Sequence, residues 1–219
     1  MCFNIKNFYN MKKLVFFLMA IMAICVTSCH KGKKSEPVTA RTATQAVLDS
    51  LAVGMDSVSA DYRYFETTFE LATRLDSLDS CKVVKLQSIY QVVDTLTGKP
   101  SVWVADFLTD SVKLTWTVLE GAFWTEDVDL RHKDITLSLE AACDTLLKSN
   151  VARPKSKFVV LRCPLGPIDC DAQYIFGNDK SGTVFVNART GAVSTKDPAF
   201  FPDSLAKELD RRTLVKMKK

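Results

Sequence analysis

Histidine is almost missing from this chain: there are two in 219 residues, and only His132 lies beyond residue 30. No CxxC pair and no HExxH occurs, so no motif assembles a metal site, and no cofactor is expected. A nucleophile elbow and a phosphate-binding loop are missing too. The longest early apolar run, Leu14 to Val26, is thirteen residues, too short to cross about 30 Å of hydrocarbon as a helix. With 8 glycines, 7 prolines and 47% apolar residues, the chain is neither collagen-like nor disordered nor a many-span membrane protein. Its length suits one compact domain or two small ones.

What is present begins with an address. Met11-Lys12-Lys13 opens a basic region before the apolar run, a pattern that makes Met11 the better start. The run closes on Val26-Thr27-Ser28-Cys29, which resembles the lipobox of bacterial lipoprotein signal peptides. That resemblance implies cleavage after residue 28 and acyl chains such as palmitate on Cys29. Each buried methylene contributes about 0.8 kcal/mol, so a multiply acylated Cys29 anchors without a spanning helix. Residues 29–41 (CHKGKKSEPVTAR) read as a flexible tether. Its lysines, where exported Bacteroidetes lipoproteins often carry acids, point to a bacterial envelope anchor facing the periplasm.

The formal charge of +4 changes meaning once position is counted. Residues 1–28 hold three lysines and no acid, and the tail from Ala206 holds six basic residues against Glu208 and Asp210. Residues 42–205 hold 16 basic and 22 acidic residues, an acidic body that argues against nucleic acid as a partner. Of seven cysteines, Cys2 and Cys25 leave with the signal and Cys29 takes lipid. Cys81, Cys143, Cys163 and Cys170 remain as candidate disulfide partners, with three possible connectivities. Cys163 and Cys170 flank the turn-rich Pro164 to Asp169, which makes a bridge between them one expectation; a buried thiol at Cys143 is another.

From Thr44 to about Leu78 apolar residues recur at steps of three and four, which predicts one kinked helix or two. Strands are expected at Lys82–Asp94, Ser101–Leu108 and Val112–Val118, the last alternating apolar and polar. A second helix over 139–149 and strands at 157–164, 171–176 and 183–187 follow, with cap candidates in 134–139. The order repeats, predicting an α+β fold: two helix-plus-antiparallel-meander units side by side, helices on one face of the sheet. The expected division is 42–130, 131–195, and a basic helix or tail over 196–219.

The second unit carries Leu139-Glu140-Ala141-Ala142 in its helix and closes on Val184-Phe185-Val186-Asn187-Ala188-Arg189-Thr190-Gly191-Ala192-Val193. In both it resembles a PepSY-type domain, the second run being similar to the family's closing strand, with Asn187 where the family usually has Asp. Envelope lipoproteins with tandem PepSY-like or β-lactamase-inhibitor-protein-like units fit the whole chain. The resemblance implies a non-catalytic binding or inhibitory module for an envelope protein or peptide, anchored to the membrane. Trp103, Trp116, Phe123 and Trp124 are the candidate interaction residues, since aromatics concentrate in interfaces, although core packing is their bland alternative. A rival reading takes the chain as an envelope hydrolase or sugar-binding protein using scattered carboxylates, among them Glu120, Glu126, Asp127 and Asp129. His132, alone in a charged stretch, lacks the partners a triad needs.

Overall fold

A computed structural model describes residues 42–124 and 128–201. They fall into two compact units that part between Tyr62 and Arg63. The expected Cys29 lipidation site and tether lie outside the described residues, and so does the expected basic tail beyond residue 201.

The first unit is helix α1, Ala43–Val58. Thr42 caps it, its hydroxyl accepting from the Gln45 N–H at 3.3 Å, and Val47, Leu51 and Met55 form its buried stripe. The helix was expected to run on to about Leu78, but it stops at Val58. Ser57 turns its hydroxyl onto the Gly54 carbonyl, Ser59 is already extended, and the stretch after Tyr62 takes a two-residue period. Aromatic and β-branched residues at 64–69 favour that strand, and its buried residues mimic helical spacing only when read from the helix before it.

The second unit opens with four strands: β1 (Arg63–Leu71), β2 (Val83–Val93), β3 (Pro100–Leu108) and β4 (Lys113–Glu120). Helix α2 (Leu139–Lys148) follows, then β5 (Phe158–Arg162), β6 (Gln173–Asn178), β7 (Gly182–Asn187) and β8 (Val193–Ser194). All pairings are antiparallel, and the eight strands form one sheet in the order β4-β3-β2-β1-β5-β6-β7-β8. The coarse α+β expectation is therefore met, with more sheet than helix. Each run of strands holds four rather than three, because β1 had been absorbed into the helix pattern and β8 is only two residues long.

The core lies at the middle of the sheet. Phe65, Phe69 and Leu71 of β1, Val159 of β5, Phe176 of β6 and Val186 of β7 are fully buried. Burying each such side chain contributes about 1.5–3 kcal/mol. Helix α2 presents Leu139, Ala142, Cys143 and Leu146, the i, i+3, i+4, i+7 pattern of one face, and lies against β7. Ser138 caps it through the Ala141 N–H at 3.2 Å. The Tyr174 hydroxyl donates to the Leu137 carbonyl at 2.9 Å, and the Ala188 carbonyl accepts from Thr136 and Leu137, pinning the helix entry to the sheet. The β6–β7 hairpin needs Gly177: its φ of 83° is left-handed, and a Cβ there would collide with the Gly182 carbonyl and Pro154.

Candidate interaction surface

Strand register builds an aromatic row across the first four strands. Tyr64 opposes Tyr90, Tyr90 opposes Trp103, and Trp116 opposes Ala105 beside it, so all four rings share one sheet face. Tyr64 and Tyr90 stack with centroids 5.2 Å apart. Trp116 lies 6.0 Å from Tyr90 and meets Trp103 edge-on at 6.0 Å. Under one end of the row runs a chain of hydroxyls: Tyr64 to Thr67 at 2.6 Å, and Thr67 to the buried Ser88 at 2.5 Å. Trp103 donates its indole N–H to Ser101 at 3.0 Å, whereas the buried Trp116 Nε1 has no partner among the described residues.

The structure thus brings Trp103 and Trp116 together, as half-buried members of a row that also includes Tyr64 and Tyr90. Phe123 and Trp124 sit beyond the end of β4, Phe123 with 71% of its surface exposed. Strand register is what finds the two tyrosines: Tyr90 aligns with the expected Trp103, and Tyr64 aligns with Tyr90, whereas a single strand shows neither pairing.

β4 forms one edge of the sheet. None of its eight residues is buried, and Val118 and Leu119 expose 39% and 49% of their surface. The Gly121 N–H donates to the Pro100 carbonyl at 2.8 Å. Antiparallel alternation then turns the amides of residues 113, 115, 117 and 119 toward β3, and those of Leu114, Trp116, Val118 and Glu120 outward. Edge strands are ordinarily blunted by proline, inward charge or a bulge. β4 pairs with β3 in continuous register, carries no proline, and has charges only at Lys113 and Glu120.

A concavity of about 920 Å³, open to solvent, lies between the 128–133 segment and the Cys163–Cys170 loop. Its cations are already occupied: Arg131 pairs with Asp129 at 3.0 Å and Lys133 with Asp169 at 2.8 Å. Burial alone would raise the Asp129 carboxyl, but hydrogen bonds from Arg131 and the Tyr64 N–H outweigh it and hold it below the usual range. Asp129 is therefore a structural clamp between β1 and the 130–132 turn. His132 is exposed, with Nε2 3.6 Å from Asp129. Glu126 and Asp127 fall outside the described residues, and no metal-holding group of three or more His, Cys, Asp or Glu occurs among the described ones.

The four body cysteines are thiols, and none of their sulfur pairs stands at bonding distance. The expected Cys163–Cys170 bridge is not formed. Lys133, from the segment before α2, donates instead to Asp169 and to the Cys170 carbonyl of that loop, and burial with the nearby Asp197 pushes the Cys170 thiol up to about 11. Cys81 and Cys143 are the pair that meets, with sulfurs 2.9 Å apart.

Asn187 donates from its amide to Asp171 at 3.1 Å and accepts from the Arg189 and Thr190 N–H groups at 2.9 Å each. Arg189 grips the same Asp171 at 2.8 Å, which holds that carboxyl below its ordinary value. Among the described residues no helix is long and apolar enough to cross a membrane. Comparison with protein-family models, with characterised proteins and with solved structures yields no match to this chain.

Proposed function

We propose that the chain is an envelope lipoprotein, held by acyl chains on Cys29, whose body is a non-catalytic module binding an extended segment of another envelope protein along β4. The observation that carries this reading is the open edge: four outward amides, at Leu114, Trp116, Val118 and Glu120, with no charge or bulge guarding the middle of the strand. Such an edge adds a strand through main-chain hydrogen bonds, with alternate side chains giving specificity. Trp116 and Val118 on one face, and Leu119 on the other, offer apolar grip. The element order supports a tandem of two related units: helix then four strands, twice, the two meanders adjoining at β1 and β5. A likeness of these units to PepSY-like or β-lactamase-inhibitor-protein-like domains is part of this proposal.

A photo-crosslinking residue placed at Leu119 in the full-length protein tests the binding edge. In cells it is expected to give discrete adducts with an envelope protein, and Val118→Pro in the same background abolishes them. Val118 directs its amide outward, so this proline removes the docking bond without touching the β3–β4 ladder. Adducts that persist undiminished with Val118→Pro would refute pairing at β4.

A further inference from the structure

We propose that Cys81 and Cys143 form a site of oxidative modification: a disulfide-bearing oxidant closes them into an intramolecular bond between the β1–β2 connection and helix α2. Their sulfurs already lie 2.9 Å apart, closer than unbonded sulfurs ordinarily approach, against a bonded separation of about 2.05 Å.

The backbone on both sides holds that approach in place. Ahead of Cys81, the Leu75 N–H donates to the Ser156 carbonyl at 2.7 Å, and the Leu78 carbonyl accepts from Arg153 at 3.0 Å. Behind it, the Lys82 carbonyl accepts from the Ala72 N–H at 2.8 Å, which closes the neck of the loop. Arg153 and Ser156 lie in the segment that leaves α2, so the loop bearing Cys81 is fastened to the helix that carries Cys143. Cys143 sits on the buried face of α2, between Leu139 and Leu146. Little backbone movement separates the thiols from the bond.

Accessibility sets the order of events. Cys81 is half-buried and reachable, whereas Cys143 is fully buried. The Cys81 thiolate attacks one sulfur of the oxidant's disulfide, forming a mixed disulfide and releasing one thiolate. Cys143 then gives up its proton and attacks the Cys81 sulfur, expelling the second thiolate. The chain loses two S–H bonds and gains one S–S bond; the oxidant's S–S bond is broken and it takes up two electrons and two protons. Contact with Cys81, then burial, holds the Cys143 thiol protonated above its ordinary value, and its full burial leaves the Cys81 sulfur as the one it can reach. None of this depends on the proposed β4 docking.

The test treats the reduced full-length protein with oxidised glutathione, blocks remaining thiols by alkylation and maps tryptic peptides without reduction. Cleavage after Arg74, Lys82, Lys133 and Lys148 puts Cys81 and Cys143 on separate peptides, 75–82 and 134–148. Cys163 and Cys170 share one peptide, 163–180, so a bond between them appears only as the loss of two hydrogens within it. The expected result is a linked 75–82/134–148 pair. The bond closes a loop of some sixty residues, so oxidation is expected to raise the Tm of the wild type by about 5–15 °C, and Cys81→Ser removes that shift. Alkylation of both Cys81 and Cys143, or their linkage to any other cysteine, overturns the proposal. So does a redox shift of Tm that survives undiminished in Cys81→Ser.

Discussion

At Asn187 one side-chain amide works in both directions, donating to Asp171 while accepting two backbone N–H groups of the turn after β7. A carboxylate in its place keeps the acceptor role and loses the donor, and it sets a second negative charge against Asp171. Asn187→Asp is therefore expected to cost about 1–3 kcal/mol at neutral pH, measured by urea denaturation. Repulsion from Asp171 raises the new group's folded pKa, so the deficit shrinks as pH falls and the group takes a proton. The native carboxyls run the other way. Asp129 and Asp171 both sit below the ordinary value of 3.8 in the folded state. The stability they contribute is complete above that value and is lost as pH falls through their lower folded-state pKa. The denaturation midpoint of the wild type is expected to drop steeply below about pH 4, and Asp129→Asn with Asp171→Asn to flatten that drop.

At the scale of elements, the strand patterns of β2 to β7 and the cap and face of α2 were legible from alternation, turn residues and helical spacing. The end of α1 was not. Val47, Leu51 and Met55 recur with helical steps, and Tyr62, Phe65 and Phe69 happen to continue them, so period alone merges a helix with the strand after it. The glycine and serines at 54–59 were the available signal, and their hydrogen bonds decide the matter. Trp103 and Trp116 were legible as candidates. That they join Tyr64 and Tyr90 in one row was not, because the row is a product of cross-strand register, which joins residues up to 52 apart. Exposure of β4 was equally hidden: the strand alternates like a half-buried one, and only its place at the sheet edge leaves it uncovered. The same geometry separates two neighbouring substitutions. Thr117→Pro removes an amide facing β3 and is expected to cost about 1–3 kcal/mol by thermal or urea melting, whereas Val118→Pro spares the ladder and costs less.

For the whole molecule, charge, lipid and sheet edge combine into one reading. In the proposed reading the acidic body follows a basic segment and an acylated Cys29, and its binding edge is β4. A bond between Cys81 and Cys143 would fasten the first four strands to α2 while leaving that edge on the far side of the β-strand order. The binding claim is tested most directly by residue-resolved amide hydrogen exchange of the body, alone and with the envelope protein captured through Leu119. In the free protein the amides of Thr115, Thr117 and Leu119 are expected to exchange slowly, and those of Leu114, Trp116, Val118 and Glu120 quickly. On binding, the second set becomes protected to the level of the first. Outward amides that stay fast in the complex would contradict strand addition at β4.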